Sequence, residues 1–164
     1  VAKSKSPRWE RDSFEATQPS TYPGLNGAID LARDWALERD ADSLLSLFAD
    51  LPLLSMFDIR RLVARRSPLV LGADRRGEGT NAMLLRLQGQ GAMFRFNFGE
   101  GSLEKHVREA QRLGIMAGLE ESSGIGFDLD TPRDWQEYLR AQQPSDGPRE
   151  PLVLATTSCG AACW

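Results

Sequence analysis

The sequence predicts an α/β sandwich with a mostly parallel sheet, and three observations carry that prediction. Short apolar runs alternate along the chain with segments whose apolar residues recur at helical spacing. Two of the runs stop at carboxylates, at Asp50 and at Asp128 with Asp130, as buried strands do on entering loops. The helical segments carry start and stop signals: Ser55 with Asp58, Gly114, and Thr131 with Pro132 and Asp134. A sheet of this kind binds ligands outside the carboxyl ends of its strands.

Residues 1–22 mix Lys, Arg, Ser, Pro and Thr with isolated aromatics and show no period, so an irregular segment is expected there. Residues 23–141 form the expected domain, and 142–164, with Pro144, Gly147, Pro148 and Pro151, a tail carrying at most one short added strand. After Pro23 and Gly24, the residues Leu25, Ala28, Ile29, Ala32 and Ala36 share one helical face, with Asn26 as its N-cap. Residues 43–48 read as a buried parallel strand that leaves Asp50 at its carboxyl end. Met56, Ile59, Leu62 and Val63 make the next helical stripe, while Arg60, Arg61, Arg65 and Arg66 make a solvated face.

Residues 68–71 and 82–87 are strands on either side of a polar loop at 73–80. Phe94, Phe96 and Phe98 alternate with Arg95 and Asn97, the period-2 pattern of a strand with one apolar face. Ser102 caps a helix whose buried stripe is Leu103, Val107, Ala110 and Leu113, closed by Gly114. Residues 125–130 are the last strand end before a helix capped by Thr131.

A length of 164 residues suits one domain with one core of ordinary size. Apolar residues at 41% and charged residues at 26% exclude disorder over the whole chain. A net charge of −3 gives no reason to expect nucleic acid as a partner. The apolar run at 51–57 is broken by Pro52 and Ser55 and falls far short of the ~20 residues of a membrane span. No hydrophobic stretch follows Lys3 and Lys5, so no secretory signal is expected and the cytoplasm is the default location. Cys159 and Cys163 lie close to the end and cannot staple the body of the fold. With one distant histidine they also fall short of a four-ligand zinc site.

Asp50, Asp128 and Asp130 are expected together at the ligand-binding edge of the sheet, where a cation would relieve their repulsion. Mg²⁺ suits such a set, because it takes a few carboxylate oxygens and keeps waters and substrate phosphates. The plainer reading is that Asp130 and Thr131 cap the last helix. Gly99-Glu100-Gly101-Ser102 opens a helix, where glycines let backbone N–H groups approach an anion; an ordinary glycine turn is the alternative. The loop from Asp74 through Arg75, Arg76 and Gly77 to Thr80 and Asn81 adds hydroxyl, amide and guanidinium donors at the same edge. His106, four residues beyond Ser102, shares its helix face and is expected to buttress the loop.

Ala49-Asp50-Leu51-Pro52-Leu53-Leu54, the run from Asp74 to Ala82, Phe98-Gly99-Glu100-Gly101-Ser102 with His106, and Asp128-Leu129-Asp130-Thr131-Pro132 occur in one order. With Gly24-Leu25-Asn26, that order resembles the 2-phospho-L-lactate guanylyltransferase family of deazaflavin coenzyme biosynthesis, including versions that use phosphoenolpyruvate or 3-phosphoglycerate, over residues 23–138. The resemblance implies a nucleotidyltransferase-like fold, Rossmann-like and of glycosyltransferase-A type, with a mixed, mostly parallel sheet. It implies transfer of GMP from GTP to a small phosphoacid with release of pyrophosphate. By position, Asp50, Asp128 and Asp130 would hold Mg²⁺ and be catalytic, Thr80, Gly99 and Ser102 would bind the phosphoacid, and Gly24 and Asn26 would lie at the nucleotide.

The implied partners are GTP, the phosphoacid and the next enzyme of the coenzyme pathway, with neither nucleic acid nor a membrane among them. The family's opening nucleotide-binding unit is expected to be missing or replaced, since 23 residues end at Pro23 and a βαβ unit takes roughly thirty or more. Glu100 stands where the family commonly has proline, placing negative charge beside the expected phosphate. Two alternatives stand beside the enzyme: a non-catalytic phosphoacid-binding or partner subunit, and a nucleotidyltransferase of the same fold acting on a molybdopterin or sugar phosphate.

Overall fold

The computed structural model describes residues 24–142. They fall into two compact units, one ending at Asp130 and one beginning at Thr131. The expectations for residues 1–22, for the tail beyond Gln142 and for Cys159 and Cys163 lie outside the described residues. Among the described residues no helix is long and apolar enough to cross a membrane.

The larger unit opens with helix α1 (Gly24–Leu37), then strand β1 (Ser43–Leu47), helix α2 (Met56–Ala64), and strands β2 (Leu69–Ala73) and β3 (Thr80–Arg86). A 3-10 helix (Gly89–Met93), helix α3 (Ser102–Leu113), strand β4 (Ala117–Glu120) and a single helical turn, α4 (Ser123–Gly126), complete it. The second unit contains helix α5 (Pro132–Gln142). Its start is fixed by Asp134, whose Oδ2 accepts from Thr131 N and Oγ1, both at 2.7 Å.

The four strands lie in the order β1-β3-β2-β4, a mixed sheet between helices, which makes the chain α/β as expected. The strand directions correct one detail: β3 is antiparallel to both β1 and β2, and only β2 and β4 run parallel. The connection over residues 74–79 is too short for a crossover of a dozen or more residues, so it turns β3 back beside β2 as a hairpin.

Side chains alternate across this sheet and divide the core in two. Leu69, Leu71, Met83 and Leu85 pack with Phe94, Phe96, Phe98 and Ala110 on the face covered by α1 and α3. Val70, Ala82 and Leu84 pack with Leu62 and Ile125 on the face covered by α2 and α4. A Cβ on Gly72 would come within 2.6 Å of Ile125 Cγ2, so the lack of a side chain lets α4 lie against the sheet.

Several local expectations change. β1 is an edge strand among the described residues, half-buried along its length rather than enclosed. Helix α1 begins at Gly24, which puts Asn26 inside its first turn instead of at the cap. Arg61 and Arg65 are not simply solvated: both ion-pair with the buried carboxylate of Glu120 at the end of β4. That strand goes unpredicted because only four residues, one of them Leu, form it.

Residues 125–130 are not a strand, because α4 occupies their start. Gly101, with φ at 63°, is the N-cap of α3, and Ser102 is its first residue. Residues 94–98 keep the alternating burial expected of a strand, yet they pair with no other strand.

Candidate functional site

Because β3 runs against its neighbours, its first residues meet the carboxyl ends of β1 and β2 at one rim of the sheet. The register between β2 and β3 shifts there: Gly72 faces Ala82, but Ala73 faces Thr80, which leaves Asn81 as a bulge. A bulge puts consecutive side chains out of alternation. Asn81 therefore turns toward α4, donating from Nδ2 to the Ile125 carbonyl at 2.9 Å, while Thr80 turns toward α3.

Thr80 is the junction of a buried network. Its backbone N–H donates to Ser102 Oγ at 2.9 Å, and its Oγ1 lies 3.0 Å from His106 Nδ1. The other ring nitrogen, Nε2, accepts from the backbone N–H of Asn97 at 3.0 Å. His106 is fully enclosed, its ring edge-on to Phe98 at 4.7 Å and tilted against Phe94 at 5.9 Å. Burial, with a smaller contribution from the Lys105 charge, pushes its pKa down to about 4, so the ring is neutral at neutral pH.

The loop that opens α3 is held from several sides. Gly99 and Gly101 both have positive φ, 120° and 63°, conformations that glycine adopts freely. Leu103 N–H donates to the Glu78 carbonyl at 3.0 Å, tying the β2–β3 loop to the start of α3. Lys105 Nζ donates to the Glu100 carbonyl at 2.6 Å and brings a positive charge to the loop. Within the β2–β3 loop, Asp74 Oδ1 accepts from Arg76 N and Glu78 N, at 3.2 and 2.8 Å.

Asn26, expected near a nucleotide, has both ends of its amide engaged by one residue. Oδ1 accepts from Phe98 N at 2.7 Å, and Nδ2 donates to Phe98 O at 3.2 Å. Gly24 is exposed at the start of α1 with φ at 84°. Thus Asn26 pins the residue immediately before Gly99.

The three aspartates share the rim only loosely. Leu129 N–H donates to the Asp50 carbonyl at 3.0 Å, which joins the segment 128–130 to the turn after β1. Asp50 and Asp130 are exposed and Asp128 is half-buried. Among the described residues no group of three or more His, Cys, Asp or Glu side chains is gathered to hold a metal ion. Among the described residues the expected three-carboxylate cluster is therefore not pre-assembled: the aspartates stand on two separate loops, joined by a backbone bond.

Sequence reasoning brings Thr80, Gly99, Ser102 and His106 to one place, where the structure also has them. It misses that Asn97 contributes through its backbone and that the Asn81 bulge sets the direction of Thr80. The alternation of burial through 94–98 held the first clue, since it places the Asn97 side chain away from the core.

A mixed sheet between helices with polar loops at one rim is consistent with a nucleotidyltransferase-like fold. In agreement, a solved structure described as a nucleotide-diphospho-sugar transferase from Desulfovibrio desulfuricans superposes with a TM-score of 0.62. It shares 14% identity, with 80% of this chain and 58% of that one covered, which is a likeness of fold alone. Residues 10–143 match the family model "Guanylyl transferase CofC like", and the chain belongs to that family.

The phosphoenolpyruvate guanylyltransferase of Rubrobacter xylanophilus is 42% identical over 114 residues, 68% of this chain and 54% of the relative. That of Sphaerobacter thermophilus is 37% identical, with 77% and 60% covered. The 2-phospho-L-lactate guanylyltransferase of Methanothrix thermoacetophila is 38% identical, with 70% and 48% covered. The chain thus spans between 48% and 60% of the length of these relatives.

Proposed function

We propose that this chain carries the acceptor-binding and reaction-site part of a guanylyltransferase that moves GMP from GTP onto a small phosphoacid. The observation that supports this most is the junction of Thr80, Ser102 and the Gly99–Gly101 turn, hydroxyls and glycine backbone joined beside Lys105 in a member of this family. Thr80, Gly99 and Ser102 would bind the acid and phosphate groups, and Lys105 would add attraction for the anion. Glu100 takes part in this arrangement only through its carbonyl, which accepts from Lys105 Nζ, and the residue is exposed.

In the reaction, an oxygen of the acceptor's phosphate bonds to the α-phosphorus of GTP, the bond from that phosphorus to the α,β-bridging oxygen breaks, and pyrophosphate leaves. The nucleophile is already ionised at neutral pH, so positioning rather than a protein base is what the site must supply. Asp50 with Asp128 or Asp130 suits Mg²⁺, which needs one or two protein carboxylates and completes its shell with water and phosphate oxygens. When bound, the ion would offset the charge of the two meeting phosphates. Asn26 would act by fixing Phe98 and hence the Gly99 turn. The product, a guanylylated phosphoacid, would pass to the next enzyme of the deazaflavin coenzyme pathway.

The purified chain, incubated with Mg²⁺, GTP and either phosphoenolpyruvate, 2-phospho-L-lactate or 3-phosphoglycerate, should release pyrophosphate with one of the three. Asp128→Asn should lower that release by about a hundredfold or more, as expected when charge stabilisation is removed from a reaction site. Phosphoacid binding without turnover would assign this chain the acceptor-binding share alone. Binding of neither nucleotide nor phosphoacid would overturn the proposal.

A further inference from the structure

The buried network at Thr80 has a direction, and its hydrogens can be counted. A backbone N–H can only donate, so His106 Nε2, which receives Asn97 N–H at 3.0 Å, must present a lone pair. The proton of the neutral ring then sits on Nδ1 and is donated to Thr80 Oγ1, 3.0 Å away. In the same way Ser102 Oγ receives the N–H of Thr80 at 2.9 Å. Each hydroxyl is thereby used as an acceptor by a fixed donor. Among the described residues neither has an acceptor for its own hydrogen, although Thr80 and Ser102 are 1% and 2% exposed. Two buried hydroxyl hydrogens without acceptors are costly, and they lie where the Gly99–Gly101 turn opens α3.

We propose that His106 is a positioning residue: its Nδ1–H, locked by Asn97, occupies a lone pair of the Thr80 hydroxyl and leaves the hydroxyl hydrogen for an acid oxygen of the phosphoacid. This rests on the phosphoacid reading given above. The hydroxyl of a free threonine is ambivalent, because it can turn its hydrogen toward any nearby acceptor. With His106 donating to it, the hydrogen cannot be spent on the ring. An anionic ligand supplies the acceptor that the fold omits, whereas a group without an acceptor at that point leaves the hydrogen unpaired. The same logic applies to Ser102, with the Thr80 backbone as the locking donor. The neutral ring that burial imposes agrees, and a protonated ring would in addition have to break the Asn97 bond.

His106 is the only histidine in the sequence, so its ring nitrogens can be assigned at once in a long-range ¹H–¹⁵N spectrum of the labelled full chain. At neutral pH the expected pattern is a neutral ring protonated at Nδ1. A ring protonated at Nε2, or an imidazolium, would overturn the relay while leaving the phosphoacid reading intact. Two substitutions then separate direction from packing. His106→Asn can place an amide N–H where Nδ1–H stands, whereas the His106→Gln amide reaches the Nε2 position beside Asn97 and leaves Thr80 without its fixed donor.

Calorimetric titration with phosphoenolpyruvate, and separately with 2-phospho-L-lactate, should show His106→Asn within a few-fold of the parent Kd and His106→Gln weakened about tenfold or more. Equal losses in both, or better binding by the longer glutamine, would mean that His106 only fills space and would overturn the proposal. A parent chain with the Nδ1–H ring that binds neither acid would overturn the phosphoacid reading and, with it, the use assigned to the hydroxyl. If the variants do not fold, Thr80→Ser and Thr80→Val, read by the same titrations, decide the question. The serine, which keeps the hydroxyl, should bind and the valine should not; equal binding would count against the relay.

Discussion

His106 is a neutral ring sealed between Phe94 and Phe98, and that burial couples folding to pH. In an unfolded chain a histidine titrates near 6.5, whereas burial lowers this one to about 4. Between those values the unfolded state binds a proton that the folded state refuses, so stability falls as pH drops from 6.5 toward about 4. The full loss is about 3 kcal/mol. Denaturant midpoints compared at neutral pH and near about pH 5 should show it, and His106→Gln, with no ring to titrate, should flatten the dependence. Below about pH 4 carboxylates take over. Hydrogen bonds from Arg112 hold Glu109 low, and Asp58, which burial pushes up, is brought down by hydrogen bonds from Ser55 and Ser122.

At this scale the sequence is informative where neighbours in the chain make the contact. The Ser55–Asp58 capping box is present as its spacing predicts. Glu120 with Arg61 and Arg65 is not readable, because 55 residues separate Glu120 from Arg65 and only the parallel pairing of β2 and β4 brings them together.

The segment 94–98 is an element of unusual construction, extended and apolar on one side but outside the sheet. Its backbone groups bond to side chains instead of to a neighbouring strand. Arg33 donates to the Phe94 carbonyl, Glu109 accepts from Arg95 N–H, His106 from Asn97 N–H, and Asn26 takes both groups of Phe98. Period-2 burial is visible in the sequence, but a ladder and a set of side-chain substitutes for one produce the same pattern. Helices α1 and α3 supply all four of these side chains, so the loop that follows at Gly99 inherits its position from them.

Asn26→Ala should therefore act on the acceptor side of the site. It leaves two backbone groups of Phe98 unpaired, at a cost of about 1–3 kcal/mol in stability. Phosphoacid affinity should fall by more than nucleotide affinity, as read by calorimetry with each ligand. A loss confined to GTP would instead put Asn26 at the nucleotide.

For the whole molecule, the order β1-β3-β2-β4 between two helical layers is what the alternation of apolar runs and helical stripes foretells in outline. The directions of the strands follow from connection length, which the six-residue loop at 74–79 already contained. Close contact between layers was not legible, because nothing in the pattern marks Gly72 as the place where Ile125 approaches the sheet. Gly72→Ala should destabilise the fold by about 1–3 kcal/mol, and that loss should shrink in an Ile125→Ala background, which removes the Cγ2 methyl in its way. Thermal unfolding of the two single variants and the double variant measures the coupling. Additive losses would show that the crowding is relieved elsewhere.

The enclosure of His106 also keeps the imidazole out of the protein's charge changes. Histidine is the one side chain whose ordinary pKa lies between pH 5 and 8, and here the single imidazole stays uncharged down to about 4. The imidazole therefore adds no charge as the solution is acidified from neutral pH toward about pH 5, while a phosphate monoester takes up its second proton at about pH 6. Any change in phosphoacid affinity across that interval should follow the titration of the ligand. Isotherms recorded through it with phosphoenolpyruvate and with 2-phospho-L-lactate should bend at each acid's own phosphate pKa, and a bend common to both would locate the proton on the protein.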